Sequence, residues 1–138
     1  MQRIVWSLPL KTVSEANKSE HWLVARRRHK QQQFFIRRLF AKRDVKIPTP
    51  CMVKLVRLAG RELDKDDNLR MAFKWIKDEI ADCLFPEKQM SYVAKNGKII
   101  QLKGRTDDSP LVKWEYDQER SRILGIRIEI SPLESLDA

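Results

Sequence analysis

Leu69, Ala72, Phe73, Ile76, Ile80 and Leu84 recur at three- and four-residue spacing, which sets them on one side of a helix. Such a stripe must lie on an apolar surface supplied by the rest of the chain, and Pro86 closes the segment that carries it. Three segments have the pattern of strands. CMVKLVRL (Cys51 to Leu58) reads as a strand. LVKWEYDQ puts Val112, Trp114 and Tyr116 on one face, and ILGIRIEI does the same with Leu124, Ile126, Ile128 and Ile130. Residues Arg3 to Leu8 make a further strand that stops at Pro9.

From about Glu20 to Arg43 a second helical region runs without Pro or Gly, with Trp22, Ala25, Phe35, Ile36, Leu39 and Phe40 near helical spacing. Lys11 to Ser19 is a polar connection, Pro48 and Pro50 break the chain, and Gly60 to Asp67 is a charged loop. Asn96-Gly97 between apolar runs predicts a hairpin, and Gly104 to Pro110 is rich in turn residues. The short link from Glu119 to Arg122 predicts that the last two strands form an antiparallel hairpin. The order is that of an α+β or mixed α/β domain, a mixed sheet packed against two main helices. A length of 138 residues suits one domain spanning 1–138.

The formal net charge is +9, with 34% charged residues. That balance favours a polyanionic partner, nucleic acid or an acidic membrane surface. No apolar run approaches 18 residues, and MQRIVWSLPLK lacks the apolar core of a signal peptide, so an intracellular, cytoplasmic protein is expected. Cys51 and Cys83 sit in apolar settings without CxxC spacing and read as buried thiols. There is no Walker loop, no GxSxG and no zinc spacing.

Against that positive balance, LDKDDN concentrates Asp64, Asp66 and Asp67 just ahead of the apolar stripe. Two readings stand. Asp67 or Asn68 can be a helix N-cap, with the other carboxylates favoured by the helix dipole. Alternatively, crowded carboxylates form a hard-oxygen site for Mg²⁺ or Mn²⁺, because they repel one another unless a cation or a proton neutralises them. A second pair, Asp107 and Asp108, precedes a strand, where turn chemistry and a site role are both open. Two separated carboxylate groups are what a metal-dependent phosphodiesterase needs. Lys74 lies seven residues beyond Asp67, on nearly the same helix face and about 10 Å along the axis, within reach of a phosphate held there. Asp78, about 16 Å along by the same rise, is placed to pair with Lys74. A solvated helix face explains both residues equally.

These motifs together resemble the RusA family of Holliday-junction resolvases, common in prophages. The resemblance rests on DDNL (Asp66 to Leu69), the helix NLRMAFKWIKDEIA, the later GRTDD, the strand VKWEYDQ with Trp114, Tyr116 and Gln118, and the spaced Asn17, His21, Trp22 and Arg26. It covers most of the chain, and the ordered set is more specific than any one motif. It implies a small α/β homodimer that binds four-way DNA junctions and cuts them symmetrically with Mg²⁺, Mn²⁺ being able to substitute, without membrane attachment or an organic cofactor. The family's Asp-x-Asp-Asn pattern places metal-binding and catalytic roles on Asp67 and, downstream, on Asp108. Its first acidic position falls on Lys65, flanked by Asp64 and Asp66. A one-residue bulge gives Asp64 that role, and Asp66 is the other choice. Some members carry a functional Lys three residues after the Asn. Here that position is Met71, and Lys74, one turn on, is the nearest basic residue on that face.

Arg26, Arg27, Arg28, Lys30, Arg37 and Arg38 on the first helical region are expected to contact DNA phosphates, giving affinity without sequence reading. Phe34, Phe35, Leu39 and Phe40 are assigned to a core or a dimer interface rather than to base stacking. His21 beside Trp22 is either structural or a general base, and a metal site needs no His to make hydroxide.

Overall fold

The computed structural model describes residues 3–13, 21–41, 47, 50–63, 68–84, 89–93, 95–103 and 111–133. Its centre is β2 (Cys51–Ala59), paired on one side with antiparallel β6 (Gly125–Pro132) and on the other with parallel β5 (Val112–Arg120). The first strand, β1 (Ile4–Leu8), pairs antiparallel with β6, so the four-stranded sheet runs β1-β6-β2-β5. Helix α1 (Trp22–Ala41) follows β1, and α2 (Asn68–Ala72) with α3 (Lys74–Leu84) cross from β2 to β5. A separate hairpin is made by β3 (Gln89–Val93) and β4 (Ile99–Lys103). The class is the α+β one that the element order predicts.

Strand alternation decides which side chains meet the helices. Trp6, Val53, Leu55, Ile126, Ile128 and Ile130 join Ile36, Leu69, Phe73, Ile76 and Ile80 in one buried cluster. Each such side chain contributes about 1.5–3 kcal/mol relative to exposure. The helical stripe read from the sequence is therefore the face that meets the sheet. It is not one continuous helix, because Phe73 interrupts it. Its N–H donates to the Arg70 carbonyl three residues back (3.1 Å), a tighter turn than α-helix. Phe73 is fully buried at this turn, with its ring 6.1 Å from that of Tyr116.

The expected hairpin between the last two strands does not form. β5 and β6 run antiparallel, but β2 lies between them. The link crosses the end of β2, where the Ser121 N–H donates to the Ala59 carbonyl (3.0 Å). Two strand spacings are about 9.6 Å, which residues 121–124 can bridge. The apolar β2 is better buried at the centre of the sheet than at an edge, and this outweighs the local preference for a tight turn. Leu124 consequently sits in the link and is exposed, while Ile126, Ile128 and Ile130 are buried as expected. The Asn96-Gly97 hairpin does form, between paired Val93 and Ile99, with Gly97 at φ 82° and the Lys98 N–H donating to Asn96 Oδ1 (3.1 Å).

The sheet's other face carries charged residues that pair with one another around Val56. Arg127 bridges Glu119 (2.6 Å) and Glu129 (3.0 Å), Arg3 also meets Glu129 (3.2 Å), and Lys54 meets Asp117 (3.5 Å). Among the described residues no helix is long and apolar enough to cross a membrane.

Two predictions follow from this packing. A Cβ on Gly125 would stand 2.7 Å from the Leu8 carbonyl oxygen, so Gly125→Ala must push β6 from the end of β1. Urea unfolding is expected to show a loss of about 1–3 kcal/mol. The hydrogen bonds from Arg127 hold the Glu119 carboxyl below its ordinary range. Its stabilising contribution is present above the unfolded value of about 4.3 and fades as pH falls through the lower folded value. The Tm gap between wild type and Glu119→Gln should therefore narrow between about pH 6 and pH 3.

Candidate nucleic-acid interface and acidic segment

Asp64, Asp66, Asp67 and Asp108 lie outside the described residues, and the structure places the chain on either side of them. Upstream, the side chain of Gln118 clamps Leu63 at two points. Its Nε2 donates to the Leu63 carbonyl (2.7 Å), and its Oε1 accepts the Leu63 N–H (2.8 Å). Gln118 thus acts as one further backbone-like partner at the end of β5, ordering the residue before Asp64. Its cross-strand neighbour Arg57 reaches the preceding turn, donating through Nη1 to the Arg61 carbonyl (2.6 Å) and through Nε to Thr12 Oγ1 (3.1 Å). Burial lowers the Arg57 pKa from its ordinary value. Downstream, Asn68 opens α2, whose Leu69 and Ala72 are buried. The acidic segment therefore follows a residue clamped by Gln118 and precedes a helix packed into the core.

The other acidic segment joins the fold elsewhere. Leu111 is fixed just before β5, its carbonyl accepting the Cys51 N–H (2.9 Å). Seven residues of extended chain separate Leu111 from Gln118, about 23 Å. Leu63, which precedes one acidic segment, and Leu111, which follows the other, consequently lie toward opposite ends of β5. Among the described residues, no group of three or more His, Cys, Asp or Glu side chains could hold a metal ion.

Lys74, at the start of α3, is exposed, and its Nζ lies 5.6 Å from the centroid of the Trp75 ring. His29 of α1 stacks on that indole at 4.2 Å and 23°. A chain of contacts from Lys74 through Trp75 to His29 thus brings the head of α3 against the basic helix.

The six cations assigned to DNA on α1 divide into different environments. Arg26, Arg27, Lys30 and Arg38 are exposed. Arg28 is buried with Gln32 and Ile36, its i+4 and i+8 neighbours. Arg37 has an exposed side chain but pairs with the buried carboxylate of Glu79 on α3, Nε to Oε1 and Nη2 to Oε2 (3.5 Å). Glu79 raises the Arg37 pKa further, chiefly through this hydrogen bond. A buried carboxylate is costly without its partner, so Arg37 ties α1 to α3.

His21 has a structural part. Its Nδ1 accepts the Leu23 N–H (3.2 Å), and its carbonyl accepts the Val24 N–H (3.0 Å), so it caps the first turn of α1. Phe35, Leu39 and Phe40 pack against the core as expected, whereas Phe34 is exposed, which removes the core from its two expected places. Gln118, Arg57 and Trp75 were not singled out as site residues by pattern alone. A local signal did exist for Phe34, which lies opposite Arg28, Gln32 and Ile36 on the helix circumference.

Compared with protein-family models, curated proteins and solved structures, the chain matches none.

The division of the α1 cations can be tested with one pair of variants. Arg37→Gln should lower stability by about 1–3 kcal/mol, less than for a fully buried pair because the guanidinium is solvated. Arg38→Gln should leave stability within about 0.5 kcal/mol. In DNA titrations over a range of salt, Arg38→Gln should reduce the salt dependence by about one ion. Arg37→Gln should alter it less.

Proposed function

We propose that the protein is a Mg²⁺-dependent endodeoxyribonuclease that acts on branched DNA, the four-way junction being its preferred substrate. The supporting observation is the juxtaposition around the acidic segment. Gln118 clamps Leu63 before it, Asn68 after it opens a helix packed into the core, and the adjoining α3 meets the cationic α1 through Lys74, Trp75 and His29. The ordered resemblance to the RusA family agrees with this reading.

Asp67, with Asp64 or Asp66 and with Asp108, would hold the ion through carboxylate oxygens, a donor set suited to Mg²⁺ or Mn²⁺. When bound, the metal supplies water activation and charge neutralisation at phosphorus. Lys74 offsets negative charge developing on the phosphate. Arg26, Arg27, Lys30 and Arg38 hold the backbone of the DNA without reading its sequence. Two related cuts in one junction require two copies of the site, and a symmetric homodimer provides them.

A second reading is a non-cleaving DNA-binding protein. It is favoured by Lys65 at the pattern's first acidic position, and by the positions of Leu63 and Leu111, each next to an acidic segment, toward opposite ends of β5.

Labelled four-way junction and matched duplex, incubated with Mg²⁺ or with EDTA, separate the two. Paired symmetric cuts confined to the junction are expected, lost with EDTA and in Asp67→Asn. Tight junction binding without cutting in any divalent ion would establish the second reading instead.

A further inference from the structure

The exposed face of α1 has a composition that phosphate binding does not require. The helix contains no Asp or Glu. At 100° per residue, Arg27, Lys30, Phe34 and Arg38 fall within an arc of about 80°, opposite the buried Arg28, Gln32 and Ile36. Phe34 lies between the cations, with Lys30 one turn before it and Arg38 one turn after, each about 6 Å away along the axis. It is 57% exposed. Its ring meets Phe35 edge to face, centroids 5.7 Å apart at 81°, and Phe35 packs against the core. The Phe34 ring is thus supported from below and open above.

We infer that Phe34 is a stacking platform for an unpaired nucleotide base, with Arg27, Lys30 and Arg38 contacting the flanking phosphates. This rests on the nucleic-acid-binding part of the proposed function and not on cleavage. The surrounding charges select the partner. A two-fold contact between copies through this patch would set cations against cations. An interfacial membrane helix presents a broad continuous apolar face, whereas here the exposed Leu23 and Phe34 are separated by Arg27 and Lys30, and the exposed Trp22 and Val24 lie elsewhere on the helix circumference. A nucleic acid satisfies both parts, through phosphates and a base face. Only an unpaired base exposes that face, because duplex stacking covers it. The face would therefore favour single-stranded segments and the opened bases at branch points.

The test is an anisotropy titration of the full chain with a labelled single strand and with a duplex of the same length. Both are run in EDTA over a range of salt, so cleavage plays no part. Phe34→Leu keeps an apolar side chain but removes the aromatic face. It is expected to weaken single-strand binding about tenfold, leaving duplex binding and the salt slope unchanged. Phe34→Trp should retain affinity, and its indole fluorescence should be quenched by the single strand more than by the duplex. Lys30→Gln should reduce the single-strand salt slope by about 0.7. Equal losses on both DNAs, no loss in Phe34→Leu, altered oligomeric state in that variant by sedimentation, or a Phe34-dependent preference for anionic phosphatidylserine vesicles would each overturn the platform. Wild type that binds no DNA would overturn the reading beneath it as well.

Discussion

The central position of β2 is the constraint on which the rest of the fold depends. Val53 and Leu55 are fully buried against the helices, and Val56, on the opposite face, is fully buried too. A strand apolar on both faces is poorly suited to a sheet edge, and here it is paired along both sides. Parallel pairing with β5 requires a crossover, which α2 and α3 begin. That crossover carries the apolar stripe over the sheet and sets the acidic segment at its start, between the end of β2 and α2.

What could be read from the sequence follows from the range of the forces involved. Side-chain alternation and helical spacing are local, and they locate β2, β5, β6, α1 and the buried stripe of α2 and α3. Strand pairing is not local. The link between β5 and β6 is short enough for a hairpin, yet the chain uses it to pass over the end of β2. No pattern within residues 111–130 distinguishes the two outcomes, because both place Val112, Trp114, Tyr116, Ile126, Ile128 and Ile130 on one face of the sheet. The interruption at Phe73 is likewise tertiary, set where a buried ring meets Tyr116.

The candidate site divides in the same way. Charge makes α1 the expected helix for a polyanion, but charge alone assigns the same role to every Arg. The helix circumference separates Arg28 from the exposed cations, and packing against α3 gives Arg37 to Glu79. The Gln118 clamp joins residues 55 positions apart, which no spacing rule anticipates. The aspartates are the opposite case. Their chemistry is plain in the sequence, whereas the described structure supplies their anchors rather than their arrangement.

The distribution of charge between the two sides of the molecule gives the basic helix its significance. On the outer sheet face, Asp117, Glu119 and Glu129 are met by Lys54, Arg127 and Arg3, so cations and carboxylates there largely cancel. On α1, the Arg37–Glu79 pair uses one cation, while Arg26, Arg27, Lys30 and Arg38 remain exposed on a helix without acidic residues. Among the described residues, α1 therefore presents four exposed cations and no carboxylate of its own. A concentrated positive field steers a polyanion toward one side and speeds encounter at low salt. His29, through which Trp75 joins α1 to the head of α3, lies about 140° around the helix from Phe34, with Arg26 between them. Under the proposed function, attraction by α1 would thus gather a phosphate backbone along the helix that packs against the head of α3.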